Sequence, residues 1–239
     1  VFVNSTTTTY TRTAFDNQKT ASNWPDDTYT IYNSVFPGDK AYASAGKVVV
    51  NGGKYTINAA TTTAYGVYLA QTSVSANKSA IAAAEATIKN ATFDVSTNGT
   101  TYAFGIRSGG DVTIDGCNIK VQPKTTTAYG VYMDNNTATI TNTTLDVKGT
   151  TTAYALYANA SINSTNGYDY HGRFDLGEGN NVTVAATAGN TAHVLTLIAA
   201  KRNIASSDFA GDYANAATAI VRDGSYKATA TGTTTYVLN

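Results

Sequence analysis

The chain has 239 residues, enough to bury a sizeable core as one elongated domain, and its 16 Lys plus Arg balance 16 Asp plus Glu. With charged residues at only 13%, nothing electrostatic calls for nucleic acid or an anionic membrane as partner. No run approaches the roughly 18 apolar residues that span a bilayer, and no basic segment followed by an apolar one opens the chain, so membrane insertion is not expected.

Residues 1–46 lack the repeat described below but hold Phe2, Tyr10, Phe15, Trp24, Tyr29, Tyr32, Phe36 and Tyr42, with Pro25 and Pro37 marking turns. A repeat array needs its open end covered, so this aromatic segment is expected to be an N-terminal cap. The first residue is Val1 rather than Met, which fits a processed or trimmed piece.

From residue 47 to 239 two motifs alternate. The first reads Thr87-Ile88-Lys89-Asn90-Ala91-Thr92-Phe93-Asp94-Val95, then returns as Thr113-Ile114-Asp115-Gly116-Cys117-Asn118-Ile119-Lys120-Val121 and Thr139-Ile140-Thr141-Asn142-Thr143-Thr144-Leu145-Asp146-Val147. Ile88, Ile114 and Ile140 are 26 residues apart each time. The second reads Thr63-Ala64-Tyr65-Gly66-Val67-Tyr68, with copies at Tyr102–Arg107, Thr127–Tyr132 and Thr152–Tyr157 and weaker echoes at Thr191–Thr196 and Thr234–Leu238. Ala103, Ala128 and Ala153 are 25 apart. Short β-branched and aromatic runs between Asn, Gly and Asp turns are strand chemistry. A unit this short cannot bury its own apolar side, whereas copies stacked about 4.8 Å apart bury all of them together. The expected fold is all-β: a single-stranded right-handed parallel β-helix, a solenoid of about six coils over residues 47–239.

Strict alternation along the second motif puts Tyr65, Phe104, Tyr129, Tyr154 and His193 inward with Val67, Ile106, Val131, Leu156 and Leu195. Ala64, Gly66 and Tyr68 and their equivalents then face out, giving a flat surface edged by Tyr68, Arg107, Tyr132 and Tyr157. Cys117, the one cysteine, permits no internal disulfide and sits where a small packed residue is expected.

Spacing from the first motif to the second stays nearly constant, while from the second to the next coil it is 24, 11, 12, 31 and 29 residues (Ala64 to Ile88, Ala103 to Ile114, Ala128 to Ile140, Ala153 to Val184, Ala192 to Val221). Val182 is the alternative to Val184 in the fifth coil. Insertions near 70–86, 158–180 and 199–216 therefore leave from one corner, which in solenoids is commonly the working surface. The first is Ala-rich around residues 75–85 and predicts a short helix. The second holds Tyr168, Asp169, Tyr170, His171, Arg173 and Asp175; the third holds Lys201, Arg202, Asp208 and Asp212. Across the bare coils Arg107, Asp111 and Asp134 lie at the same corner.

Three readings of that corner compete. Asp169, Asp175, Asp208 and Asp212 supply carboxylates for glycoside hydrolysis, and Arg173 or Lys201 could assist polysaccharide β-elimination, but no spacing fixes their geometry. A binding surface uses the same mixture, with rings stacking on sugars and Asp, Arg and Asn fixing hydroxyls. The plain alternative is that Asp and Arg pair within the loops and hold them down. His171 and His193 make no metal set, Gly109-Gly110-Asp111 is too short for a calcium turn, and no cofactor is expected.

Units such as Ala128-Tyr129-Gly130-Val131-Tyr132 followed by Ala138-Thr139-Ile140-Thr141-Asn142-Thr143-Thr144-Leu145 resemble the repeats of pertactin-like autotransporter passenger domains, over residues 47–157 well and 181–239 weakly. The resemblance implies a secreted or cell-surface bacterial right-handed β-helix acting in adhesion or self-association. It departs from that family in having no autotransporter barrel and in its long insertions. The expected function is thus adhesin-like and non-catalytic, with a glycan or a host or cell-surface protein as partner and Arg107, Tyr132, Tyr157 and the corner residues as candidate contacts. The alternatives are a fibre subunit joined through the coil at Thr233–Asn239, and a β-helix lyase or hydrolase.

Overall fold

The computed structural model describes residues 28–29, 47–59, 63–69, 71–73, 81–83, 85–99, 101–124, 127–162, 169–189, 191–206, 209–231 and 234–238. The expected cap over residues 1–46 lies outside the described residues, except that Thr28–Tyr29 pairs in parallel with Lys47–Asn51.

The chain winds through three strands per turn, and equivalent strands stack into three parallel sheets, so the protein is a parallel β-helix of six coils. Sheet A runs from Lys47–Asn51 through Glu85–Lys89, Val112–Asp115, Asn136–Thr141 and Asp169–Leu176 to Thr218–Val221. Sheet B contains Lys54–Ala59, Thr92–Thr97, Asn118–Val121, Thr144–Gly149, Asn180–Ala186 and Gly224–Ala230. Sheet C contains Ala64–Leu69, Tyr102–Ser108, Thr127–Met133, Thr152–Ala158, Thr191–Leu197 and Thr234–Leu238. Repeated residues stack on themselves: Ile88, Ile114 and Ile140 are in register, as are Ala103, Ala128 and Ala153.

Sheets A and B alternate strictly. Val112 and Ile114, Ile119 and Val121, and Leu145 and Val147 point into a dry interior, each at most 2% exposed, and each such side chain contributes about 1.5–3 kcal/mol by leaving water. Between the two sheets the chain turns through left-handed backbone at Asn90, Gly116 and Asn142, with φ of 51°, 63° and 48°, the conformation that Asn and Gly tolerate. The residue after each turn points inward, and the ladder becomes polar toward the C-terminal coils: Ala91, Cys117, Thr143 and Asn180 are all buried. Thr143 N–H donates to Asn180 Oδ1 at 3.1 Å, and Asn180 Nδ2 donates to the Ile140 carbonyl at 2.9 Å, which satisfies groups that would be costly to bury unpaired.

Three expectations are corrected here. In the fifth coil Ile140 pairs with Leu176, not with Val182 or Val184, which instead stack on Leu145 and Val147 in sheet B. Gly172 to Leu176 therefore belong to the solenoid wall rather than to an insertion. The insertion near 70–86 shows no helix in its described part; Gln71–Ser73 and Ile81–Ala83 form an antiparallel pair. Strict alternation also fails in sheet C, where Tyr65, Tyr129 and Tyr154 face outward and Ala64, Ala128 and Ala153 are buried.

In the first three coils the break falls at glycine. Gly66, Gly105 and Gly130 sit mid-strand, and each is followed by another inward residue, so the pleat slips by one there. A Cβ on Gly130 would lie 2.4 Å from the Ala155 carbonyl oxygen and 2.9 Å from Val147 Cγ2; one on Gly105 would lie 2.5 Å from the Gly130 carbonyl oxygen. Sheet C presses its backbone against the next coil and against sheet B at this rung, a close approach that glycine permits.

Candidate ligand-binding face

Because the slip recurs in register, the outer face of sheet C carries two aromatic columns instead of one. The first is Tyr65, Phe104, Tyr129, Tyr154, His193 and Tyr236, partnered coil by coil. Its rings stack at 5.1, 4.9 and 5.2 Å between centroids with interplanar angles of 6°, 8° and 17° up to Tyr154, and His193 then meets Tyr154 and Tyr236 edge-on. The second column is Tyr68, Arg107, Tyr132 and Tyr157, continued by Thr196. Tyr132 and Tyr157 lie near-parallel at 4.8 Å and stand roughly perpendicular to Tyr129.

Arg107 takes the place of a ring in the second column. Its guanidinium carbon lies 5.2 Å from the centroid of Tyr132, 5.4 Å from Phe104 and 5.7 Å from Tyr68, within reach of cation–π attraction. Asp134, at the turn after the third-coil strand, grips it in a fork: Nε donates to Oδ2 at 2.8 Å and Nη2 to Oδ1 at 3.0 Å. Burial opposes the charge, but the bond to Asp134 and its negative charge outweigh that and hold the Arg107 guanidinium above its ordinary value. Burial is also the leading cause that pushes the phenols of Tyr68, Tyr129, Tyr132, Tyr154 and Tyr157 upward. All five stay protonated at neutral pH, so each hydroxyl both donates and accepts. His193 is 5% exposed, pairs with Thr196 Oγ1 at 3.1 Å and is pushed downward by burial.

At the corner between sheets C and A the insertions leave after coils one, four and five. The second is an antiparallel hairpin of Ala160–Ile162 against the start of Asp169–Leu176, and the third pairs Ala199–Ser206 with Phe209–Ala216; the two lie beside each other. Asp169 and Tyr170 fall in the second hairpin and Lys201, Arg202 and Asp212 in the third, while Tyr168 and Asp208 lie outside the described residues, as do the side chains of the other five. His171 N–H donates to Asn135 Oδ1 at 3.1 Å, which ties this hairpin to the turn that carries Asp134. Arg173 hydrogen-bonds His171, and Asp175 is ion-paired with Arg222. Both project from sheet A, in register with Thr137 and Thr139. Asp111 Oδ1 accepts from Thr137 N–H at 2.9 Å.

The candidates thus divide between two faces. Arg107, Tyr132 and Tyr157 belong to one continuous strip with Tyr65, Tyr129 and Tyr154, which strict parity places inside; the mid-strand glycines after Tyr65 and Tyr129 signal the true side of those two, and Tyr154 follows them in register. Arg173 and Asp175 belong to the charged wall of sheet A. Among the described residues no group of three or more His, Cys, Asp or Glu could hold a metal ion. Cys117 is buried, 3% exposed, with its thiol pushed upward by burial. Comparison with protein-family models, with curated proteins and with solved structures finds no match.

Proposed function

We propose that this β-helix is a non-catalytic recognition protein, adhesin-like and exposed on or secreted from a bacterial cell, which binds a polar extracellular ligand on the sheet C strip flanked by the corner hairpins. The observation that carries this is the in-register double column of aromatic side chains with Arg107 locked among them. Tyr and Arg are the residue types that dominate recognition surfaces, and here their conformations are fixed before any ligand arrives, which lowers the ordering cost of binding. The enzyme reading lacks such support: Asp175, the one proposed carboxylate whose side chain is described, is paired with Arg222.

The test is a glycan array and a panel of immobilised cell-surface proteins, probed with the purified chain, alongside assays for reducing ends and unsaturated sugar products. Retention of a ligand without product release is expected. Product release that disappears in Asp169→Asn, Asp208→Asn or Asp212→Asn variants would overturn the non-catalytic reading.

A further inference from the structure

The outer face of sheet C differs from the other two in having almost no charge. Its six strands contain a single formally charged residue, Arg107, and Asp134 neutralises it. The faces of its rings are also spoken for. Tyr65, Phe104, Tyr129 and Tyr154 stack face to face, so a sugar or a second ring has no broad aromatic face to lie on along this column. What the strip presents outward is ring edges and hydroxyls.

Those hydroxyls have no hydrogen-bond partner among the described residues. Tyr65, Tyr68, Tyr129, Tyr132, Tyr154 and Tyr157 make ring contacts but no hydrogen bond through oxygen to another described residue, and none of these oxygens is both buried and unpartnered. Tyr55 shows the contrast, since its hydroxyl donates to the Gly52 carbonyl at 3.0 Å. The oxygens come in pairs, Tyr65 with Tyr68, Tyr129 with Tyr132 and Tyr154 with Tyr157, on coils one, three and four, with Phe104 and Arg107 filling the columns on coil two, and successive rings are 4.8 to 5.2 Å apart. An extended peptide repeats same-side groups about every 6.7 Å and falls out of step within two rungs. One pyranose unit with its linking oxygen is close to one rung in length, and it presents hydroxyls along its edges.

We propose that the ligand of this strip is an uncharged, extended polysaccharide lying parallel to the solenoid axis, held at its hydroxyl edge by the tyrosine oxygens at about one sugar per coil. The inference rests on the recognition reading above and adds the ligand class and its direction. Binding is insensitive to salt, because no net charge is brought together. It strengthens with oligosaccharide length up to about four units, the span from the tyrosine pair of coil one to that of coil four.

The experiment uses the full chain with β-1,4-glucan, β-1,4-mannan and xylan oligosaccharides, with polygalacturonate as the acidic control and a panel of enzymatically deglycosylated proteins as the protein control. The decisive variant is Tyr129→Phe/Tyr132→Phe/Tyr154→Phe, which keeps every ring and removes three oxygens. Calorimetry is expected to show binding to at least one neutral chain, equal at low and high salt, and weakened about tenfold to a hundredfold in the triple variant at unchanged Tm. Equal binding by variant and wild type, or binding confined to polygalacturonate, overturns the proposal. Capture of deglycosylated proteins alone overturns it while leaving the recognition reading in place, as does self-association in sedimentation that the triple variant abolishes. Failure to retain any ligand overturns both.

Discussion

Sheets B and C are built from equivalent strands of the same six coils, yet their outer faces follow different rules. On sheet B the pleat alternates without interruption, and one outward column reads Thr56, Asp94, Lys120, Asp146, Thr183 and Lys227. Its contacts are surface ion pairs, 3.9 Å between Lys120 and Asp94 and 3.0 Å between Lys148 and Asp146, each with its lysine 43% exposed. On sheet C the glycine slip turns a second aromatic position outward, and the contacts there are stacked rings and a forked, largely buried ion pair. The difference teaches that periodic side chains on a solenoid are not interchangeable. A rung on sheet B is a solvated polar contact that water can replace, whereas a rung on sheet C is a packed one.

The contrast breaks most sharply at the slip itself. Gly130→Val would drive a Cβ into the Ala155 carbonyl oxygen, 2.4 Å away, and no side-chain rotation relieves a clash with backbone. Chemical denaturation is expected to show a loss of about 3 kcal/mol or more. The conflict is specific to the early coils, since Ala155 and Val194 occupy the same rung in coils four and five and are buried without harm.

Arg107 comes next. Arg107→Ala removes two charge-assisted bonds and three ring contacts and leaves the Asp134 side chain, only 23% exposed, without its partner. A loss of roughly 2 kcal/mol is expected, with Arg107→Lys restoring less than half because an ammonium cannot reproduce the fork. A double-mutant cycle with Asp134→Ala measures the coupling; additive losses would show that the ring cage alone holds Arg107.

A third effect appears in alkali. Tyr129 and Tyr132 are pushed above the ordinary phenol range chiefly by burial, so between about pH 10 and the raised folded value the unfolded chain gives up protons that the folded chain keeps. The stabilisation is complete below pH 10 or so and drains away as pH rises past it. Urea midpoints between about pH 9 and 11.5 should fall in the wild type and fall less in Tyr129→Phe/Tyr132→Phe. Identical slopes would mean these phenols titrate as they do in the unfolded chain. At the acid edge the sign reverses. Asp115 on sheet A is held low by hydrogen bonds from Asn142 and Thr141, so its contribution is present above the usual carboxylate pKa and is lost as pH falls through the lowered one.

The coil count, the parallel stacking and the shared corner of the insertions were legible because stacking demands like on like: Ile114 and Ala128 each sit on copies of themselves. The fifth coil was not, because Phe174-Asp175-Leu176 replaces the Ala-Thr-Ile pattern and only pairing with Ala138-Thr139-Ile140 reveals the equivalence. Helix propensity misled at Ile81–Ala83, where a neighbouring strand decides the backbone. The strip was half legible. Arg107 marked one outward position, but parity carried across Gly130 inverted the other, and the turn to Tyr129 becomes visible only when a mid-strand glycine is read as a place where the pleat slips. The charged insertions stand out because charge is scarce in this chain, yet two of those charges, Arg173 and Asp175, are wall residues of sheet A.

The smallest effects belong to sheet B, and they sharpen the comparison by their size. Lys120→Ala removes an exposed contact at 3.9 Å and should change stability by less than about 0.5 kcal/mol. Lys120→Asp is the more telling variant, since it would set carboxylates on three successive rungs with Asp94 and Asp146. Like charges directly across neighbouring strands cost roughly 0.2–1 kcal/mol, and at an exposed site that cost is screened by salt. The expected outcome is a small drop in Tm at low ionic strength that vanishes at high ionic strength, whereas the Arg107→Ala loss persists in both. If salt erased the two losses equally, the rungs of sheet C would be as solvated as those of sheet B, and the distinction between the two faces would collapse.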